Sequence, residues 1–298
     1  MRLLRLLRTF LRPYRRWLLG VVVLQFVATL AALYLPSLNA DIIDNGVARG
    51  DTEYIIRVGM IMLAVALVQV GATVVAVYFG ARTAMGLGRD LRAAVFRRVG
   101  SFSSREVARF GTPSLITRNT NDVQQVQMLV LLSCTMMVTA PIMMVGGVIM
   151  ALREDLGLSW LLGVSVPALV VSVGVVISRM LPSYRVMQAR IDTVNKTLRE
   201  QITGIRMVRA FVREPFEALR FDAANRDLTE VSLRVGRWMA VMFPLVFLIL
   251  NLSSIAVLWF GGQRVDAGQM QIGSLTAFLA YLIQILIAVM MATFMLVL

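Results

Sequence analysis

The chain has 298 residues, of which 58% are hydrophobic and only 16% charged, and its formal net charge is +13. A water-soluble domain carries about 45–50% apolar and about 25% charged residues, so this composition excludes an ordinary soluble protein. It also excludes disorder, which needs low hydrophobicity. The absence of histidine and the lone Cys134 exclude imidazole catalysis, histidine-bound metals, an intrachain disulfide and thiolate clusters.

The first element is a basic arm, residues 1–16. At about 100° per residue, Arg2, Arg5, Arg8, Arg12, Arg15 and Arg16 fall within one arc of roughly 140°. Leu3, Leu4, Leu6, Leu7, Phe10 and Leu11 fill the opposite arc, the pattern of an amphipathic helix lying in a membrane interface. A signal peptide fits poorly, because the apolar run that follows is too long and no clean small-x-small cleavage site ends it.

Six long uncharged runs follow: Trp17–Ala40, Val58–Ala81, Val123–Leu152, Leu156–Ser178, Trp238–Gln263 and Ala267–Leu298. Each holds at least about 20 mostly apolar residues, enough for a helix to cross a bilayer core. Nothing alternates in the manner of barrel strands. The prediction is an all-α integral membrane protein, with a six-helix transmembrane domain over 17–298. Its spans are placed at about 17–40, 58–81, 128–152, 156–178, 238–262 and 272–298.

The connections sort by charge and by length. The arm with segments 82–122 and 179–237 carries 26 Lys/Arg against 10 Asp/Glu, whereas the other three connections carry 4 against 7. Net charges of +16 and −3 place the first set, with both chain ends, in the cytoplasm. The basic excess thus signals topology and attraction to anionic lipid, and no nucleic-acid partner is needed to explain it. The predicted location is the inner (plasma) membrane. Arg153-Glu154-Asp155 and Arg264-Val265-Asp266 read as tight outer turns, and Asp41–Arg57 as the longer outer loop.

The two long inner loops, 82–122 and 179–237, read as cytoplasmic helical extensions, because structureless loops of that length are uncommon in compact proteins. From Ile191 apolar residues recur at Val194, Leu198, Ile202, Ile205, Val208 and Val212, in steps of three and four. Arg213-Glu214-Pro215 breaks the pattern, with proline suited to the first turn of a new helix. A second stripe runs through Phe221, Ala224, Leu228, Val231 and Val235. The shorter loop breaks near Gly111-Thr112-Pro113. Two stiff hairpins reaching far from a bilayer suit a soluble partner that must be gripped mechanically.

No uncharged run contains an ionisable acid or base, which argues against coupling to a proton or sodium gradient. The only lysine, Lys196, lies in Asp192-Thr193-Val194-Asn195-Lys196-Thr197, without the glycines of a phosphate-binding loop. The chain is therefore not an enzyme by itself, and no catalytic, cofactor-binding or metal-binding residue is assigned. Its last residues, Phe294–Leu298, lack a polar flank, which suggests that the sixth helix continues beyond this sequence.

Three stretches resemble one family, the membrane domain of ATP-binding-cassette exporters of the bacterial multidrug and lipid type, and the resemblance covers essentially the whole chain. Gly111-Thr112-Pro113-Ser114-Leu115-Ile116-Thr117-Arg118, leading to Asp122, is similar to the family's first intracellular loop. Ser114 stands where many members have an acid, and the following Gln124, Gln125 and Gln127 look most like subunits of heterodimeric exporters. Glu200-x-x-x-Gly204-Ile205-Arg206-x-Val208-Arg209-Ala210-Phe211, continuing to Glu214, Glu217, Arg220 and Phe221, is similar to the second. Gly261-Gly262 through Gly273, then Leu275, Phe278 and Tyr281, resembles the hairpin between spans five and six.

The resemblance implies coupling to nucleotide-binding domains through Pro113, Ser114, Leu115, Thr117, Arg118 and Asp122, and through Phe211, Arg213, Glu214, Glu217 and Phe221. It implies a half-transporter that pairs with a second six-span subunit, in a homo- or heterodimer. ATP and Mg are expected on cytoplasmic nucleotide-binding domains, and the cargo is expected to be a lipophilic small molecule or a lipid. Met136, Met143, Asn251, Gln284 and Met291 are the candidate substrate-cavity residues, with lipid contact, packing or interhelical hydrogen bonds as their plainer roles. An ion-coupled transporter or channel and a non-transporting membrane scaffold stand as alternatives.

Overall fold

The computed structural model describes residues 2–297, with side chains described for 7–293 and 295. Among these residues the chain is almost wholly helical and has no strand. In order come α1 (Arg2–Leu11), α2 (Arg15–Asp41), α3 (Thr52–Gly100), α4 (Ser104–Phe110), α5 (Thr112–Thr117), α6 (Val123–Leu132), α7 (Val138–Glu154), α8 (Trp160–Ala210), α9 (Glu214–Asp266) and α10 (Ile272–Val297). Five-residue π-helical turns join α5 to α6 and α6 to α7. Six helical stretches are long and apolar enough to cross a membrane. At about 1.5 Å per residue, the 51 residues of α8 and the 53 of α9 extend about 75–80 Å, far beyond a hydrocarbon core of about 30 Å.

The chain divides into two compact units, Met1–Val166 with Ser253–Leu298, and Pro167–Leu252. The centre of the first unit is α10, where Phe278, Tyr281, Leu282 and Ile285 are fully buried. Small residues let other helices approach it. A Cβ on Gly147 of α7 would stand 2.7 Å from Ile285, and one on Gly146 2.5 Å from Leu33 of α2. The Tyr281 hydroxyl donates to the Leu33 carbonyl at 2.9 Å, so the one polar atom of this aromatic core is satisfied. Outward-facing positions are apolar too: Leu19, Leu63, Val74 and Val145 are each more than 60% exposed. That inversion of the soluble pattern is what a lipid surround permits.

Prolines sit inside these helices at Pro36, Pro141, Pro167, Pro182 and Pro244. Neighbouring helices and hydroxyls can take up the carbonyls that proline frees. Near Pro141, Thr135 and Thr139 donate to the carbonyls of Leu131 (3.1 Å) and Thr135 (2.7 Å).

Several boundaries differ from those drawn at charges. Residues 156–159 of the predicted fourth span form a turn, because Asp155 Oδ1 accepts from Leu158 N at 2.8 Å and starts the helix at Trp160. Arg264–Asp266 is not a turn. Helix α9 runs through it to Asp266, and Gly268 two residues on, with φ 70°, closes the end with Gln269 N bonded to Arg264 O at 2.9 Å. Most of Asp41–Arg57 is helical, leaving residues 48–51 as the connection. Both long inner segments are helical.

The arm is helical, and Leu7, Phe10 and Leu11 pack on a cluster containing Val21, Ala84, Leu87, Leu91 and Val130 while Arg8 and Arg12 stay exposed. The side chains of Arg2, Leu3, Leu4, Arg5 and Leu6, which complete the two-faced pattern, lie outside the described residues. So do those of Phe294, Leu296 and Val297, and all of Leu298.

In the second unit α8 and α9 run side by side. Their pairing is marked by Arg190–Asp227 at 3.2 Å, Glu200–Arg220 at 2.5 Å and Gln201 Nε2 donating to Glu217 O at 3.0 Å. The stripe on α9 packs as its spacing predicts, with Phe221, Ala224, Leu228 and Val231 half-buried and Val235 buried. The stripe on α8 does not. Its inward positions are Ile191, Val194, Thr197, Gln201, Gly204 and Val208, whereas Ile202 is 74% exposed and Leu198 and Ile205 face out. Thr197 is the buried position of this face, and the bulkier Leu198, Ile202 and Ile205 lie off it.

Candidate functional site

The first hairpin tip is made by turn chemistry. Ser103 begins α4 with a reciprocal cap, Glu106 N donating to Ser103 Oγ at 3.3 Å and Ser103 N to Glu106 Oε2 at 2.8 Å. That backbone bond is the main reason the Glu106 carboxyl is held below its ordinary range, with the Ser103 hydroxyl adding to it. Gly111, with φ 76°, then reverses the chain, and Pro113 fits the first turn of α5. On this short helix Leu115 is the buried anchor, Ser114 is half-buried, and Pro113, Thr117, Arg118 and Asp122 are exposed. Thr117 Oγ1 donates back to Pro113 O at 3.0 Å, and the Arg118 guanidinium lies 5.4 Å from the Phe110 ring centre. The result is a polar knuckle with one fixed cation and one apolar peg.

The second tip is a three-residue turn, Phe211–Arg213, between α8 and α9. The break lies where the sequence pattern stops, but no separate short helix forms there. Arg213 N bonds to Val208 O at 2.9 Å, and Val212 takes φ 51°, a left-handed conformation costing a β-branched residue on the order of 1–2 kcal/mol. Glu214 and Glu217 fall in the first turn of α9, where a helix favours negative charge. Glu217 also joins Glu200 around Arg220, and the bonds to Glu200 are what raise the Arg220 pKa most. The tip itself is apolar and bare: Phe211 is 68% exposed, Val212 77%, Phe216 56% and Leu219 71%. Arg213 is exposed, with its guanidinium 5.9 Å from the Phe216 ring centre, whereas Phe221 is half-buried one turn into the stalk.

The candidate cavity residues are divided between the two units. Met136 lies in the π-helical turn before α7, Met143 on α7, and Gln284 and Met291 on α10, all half-buried in the first unit. The contact of Gly147 with Ile285 sets Gln284 beside that crossing and Met143 one turn from it. Gln284 Oε1 is enclosed without a hydrogen-bond partner. Asn251 belongs to the second unit, is exposed, and spends its amide on Phe247 O at 2.8 Å, one turn back in its own helix.

Sequence reasoning missed the side chains that fasten helices together. Gln25, 5% exposed inside the first span, accepts from Thr139 at 3.1 Å, and the polar letter in an apolar run was the available signal. Gln127, 6% exposed, accepts from Arg92 at 3.0 Å and donates to Met85 Sδ at 3.2 Å while filling the space that a side chain on Gly88 would need. At the opposite end Gly273 N donates to Asp44 Oδ1 at 2.6 Å, and Arg264 Nη2 meets buried Asp155 at 3.1 Å. Lys196 is largely exposed, 4.0 Å from Glu200 on a regular helix.

Six apolar helices, some of them running on as charged stalks to short exposed turns, define a polytopic membrane domain. The ABC transporter transmembrane region model matches residues 18–290, and the chain belongs to that family. It is 54% identical over 291 residues to an uncharacterized ABC transporter ATP-binding protein of Mycobacterium tuberculosis, covering 98% of this chain and 50% of the relative. It is 30% identical over 288 residues to the uncharacterized ABC transporter ATP-binding protein YfiB of Bacillus subtilis, covering 96% and 50%. With the multidrug resistance-like ATP-binding protein MdlA of Escherichia coli it shares 25% identity over 285 residues, 92% of this chain and 46% of that protein. The chain thus spans about half the length of these curated relatives.

Proposed function

We propose that this chain is the transmembrane part of an ATP-driven exporter that moves lipophilic or amphipathic compounds, drug or lipid, out of the cytoplasm or inner leaflet by alternating access. The observation that carries this reading is the second tip. Four large apolar side chains stand bare at the end of a hairpin whose flanks are held by ion pairs and whose turn is strained at Val212. Bare apolar groups on a rigid lever mark a protein interface. The half of each relative that this chain does not span, together with the words ATP-binding in their names, supports a nucleotide-binding domain as the occupant.

ATP and Mg are then held by that domain, and no step on this chain routes through them. The chain's own residues receive motion. Leu115 and Arg118 at the first tip, and Phe211, Arg213, Glu214 and Glu217 at the second, pass a rigid-body displacement up the stalks into the spans. Two six-span subunits enclose the cavity, with Met136, Met143, Gln284 and Met291 as its lining candidates and both chain ends on the cytoplasmic side of the inner membrane. Charge reversal tests the reading. In the intact protein, Arg118→Glu and Glu214→Lys are expected to leave membrane insertion and ATP turnover in place while ethidium efflux falls. Unchanged efflux in both variants would remove the coupling assignment.

A further inference from the structure

Force transmission leaves one basic feature of the first unit unexplained. Tyr14 and Trp17, one helical turn apart where the arm enters α2, seat side by side against α3. The Tyr14 hydroxyl donates to Asp90 Oδ2 at 2.8 Å, and its ring occupies the space over Gly86, where a Cβ would stand 2.6 Å away. Trp17 meets Phe79 edge-on with ring centres 4.8 Å apart. The Arg82 guanidinium lies 4.6 Å from the centre of the Trp17 ring and donates to the Tyr78 hydroxyl at 3.3 Å. A guanidinium held over an aromatic face still has N–H groups to offer a bidentate acceptor.

Among the described residues no carboxylate fills that role. Among the described residues Arg82 makes no salt bridge, and neither do the exposed Arg12, Arg15 and Arg16. The acid at hand, Asp90, is taken by Tyr14 and by Arg89, whose Nη2 lies 2.9 Å from Asp90 Oδ1. Two turns before Arg82 the same face of α3 is apolar, with Val75 40% exposed and Val74 62%. A ligand that suits both carries a phosphate anion and hydrocarbon chains together.

We propose that this notch, Arg82 over the Trp17 ring, binds the phosphodiester headgroup of one anionic phospholipid, whose chains lie along the apolar face of α3 that continues from Arg82. The site goes beyond the transport reading and does not rest on it. Its chemistry is shared by free phosphate; the exposed apolar strip beside the cation selects the lipid as its source.

The test is native mass spectrometry of the intact protein in mild detergent, titrated with phosphatidylglycerol, with phosphatidylcholine of the same chains, and with phosphatidylglycerol in the presence of inorganic phosphate. The wild type is expected to retain one phosphatidylglycerol in preference to phosphatidylcholine, and millimolar phosphate is expected not to displace it. Arg82→Gln should weaken that binding about tenfold, the scale of one lost charge-assisted bidentate contact. Arg82→Lys keeps the charge, loses the guanidinium over the ring and should fall in between, and it decides the matter if the glutamine variant does not fold. Arg153→Gln, an exposed arginine in the last turn of α7, should change nothing. Wild-type affinity in the Arg82 variants, equal weakening by Arg153→Gln, or displacement by inorganic phosphate would each overturn the proposal.

Discussion

Replacing Gly88 by alanine gives the sharpest reading of how the first hairpin is held. The new methyl lands inside contact distance of the Gln127 side chain, which is 6% exposed and has both ends of its amide bonded, to Arg92 at 3.0 Å and Met85 at 3.2 Å. Either α3 and α6 part, or Gln127 swings away and loses both bonds. Overpacking costs about 1–3 kcal/mol, and an amide left buried without partners costs about 1–3 kcal/mol; with partial relaxation the expected loss is about 2–4 kcal/mol. Gln127→Ala alone removes the bonds and leaves a gap, an expected loss of about 1–2 kcal/mol. In the double variant the methyl occupies part of that gap, so the pair should cost little more than Gln127→Ala. The assay is reversible unfolding of the detergent-solubilised protein for wild type, both single variants and the double. The cycle should give an interaction of about 1–3 kcal/mol that offsets the single losses, and additivity within about 0.5 kcal/mol would refute the packing argument.

Other variants probe other fastenings. Gly273→Ala places a methyl against the Ala40 carbonyl and the Asp44 carboxylate, neither of which is a flexible chain end, and should lower the unfolding temperature by several degrees, more than Asp44→Asn does. Arg264→Met leaves the buried Asp155 carboxylate unpaired and should cost about 3–5 kcal/mol, measured by the same unfolding, whereas Asp155→Asn in that background should restore part of it. Val212→Gly should raise stability by about 0.5–1 kcal/mol by relieving the left-handed strain, yet lower ATP-dependent efflux because it strips an apolar group from the tip. Glu154 has its carboxyl pushed above the ordinary 4.5 by burial first, with Asp41 and Asp44 adding repulsion. A raised carboxyl disfavours the charged form in the folded state, so stability should fall as pH rises from about 4.5 through the raised value. Glu154→Gln should flatten that slope in unfolding temperatures taken from pH 4 to 8.

The spans were legible because a bilayer leaves a crude signature: a run without charges, long enough to cross. The helical nature of both inner segments was legible from length and from the stripe at Phe221, Ala224, Leu228, Val231 and Val235. Charges mislead about ends, however. Arg264 stays helical because it must reach Asp155, and the chain turns at Gly268 instead. Periodicity also misplaced the packed face of α8. It ranks residues by apolarity, whereas the packed face of α8 runs through Thr197, Gln201 and Val208, so Ile202 remains outside. The fastenings at Gln25–Thr139, Gln127–Arg92 and Tyr14–Asp90 join residues 114, 35 and 76 positions apart, and no local pattern carries such information. Asn251 reads as a lone polar residue in a span, and its amide donates to Phe247 O one turn back in its own helix.

Contact between the hairpin tips and a nucleotide-binding domain is the claim from which the account of function follows, and photo-crosslinking tests it most directly. A photoreactive residue replaces Phe211, or Thr117, in the intact protein, with Arg153, in the last turn of α7, as control. The account predicts crosslinks from both tips into the nucleotide-binding domain, with yields that change when ATP is added, and none from position 153. Absence of such crosslinks from both tips, with ATP turnover intact, would contradict it.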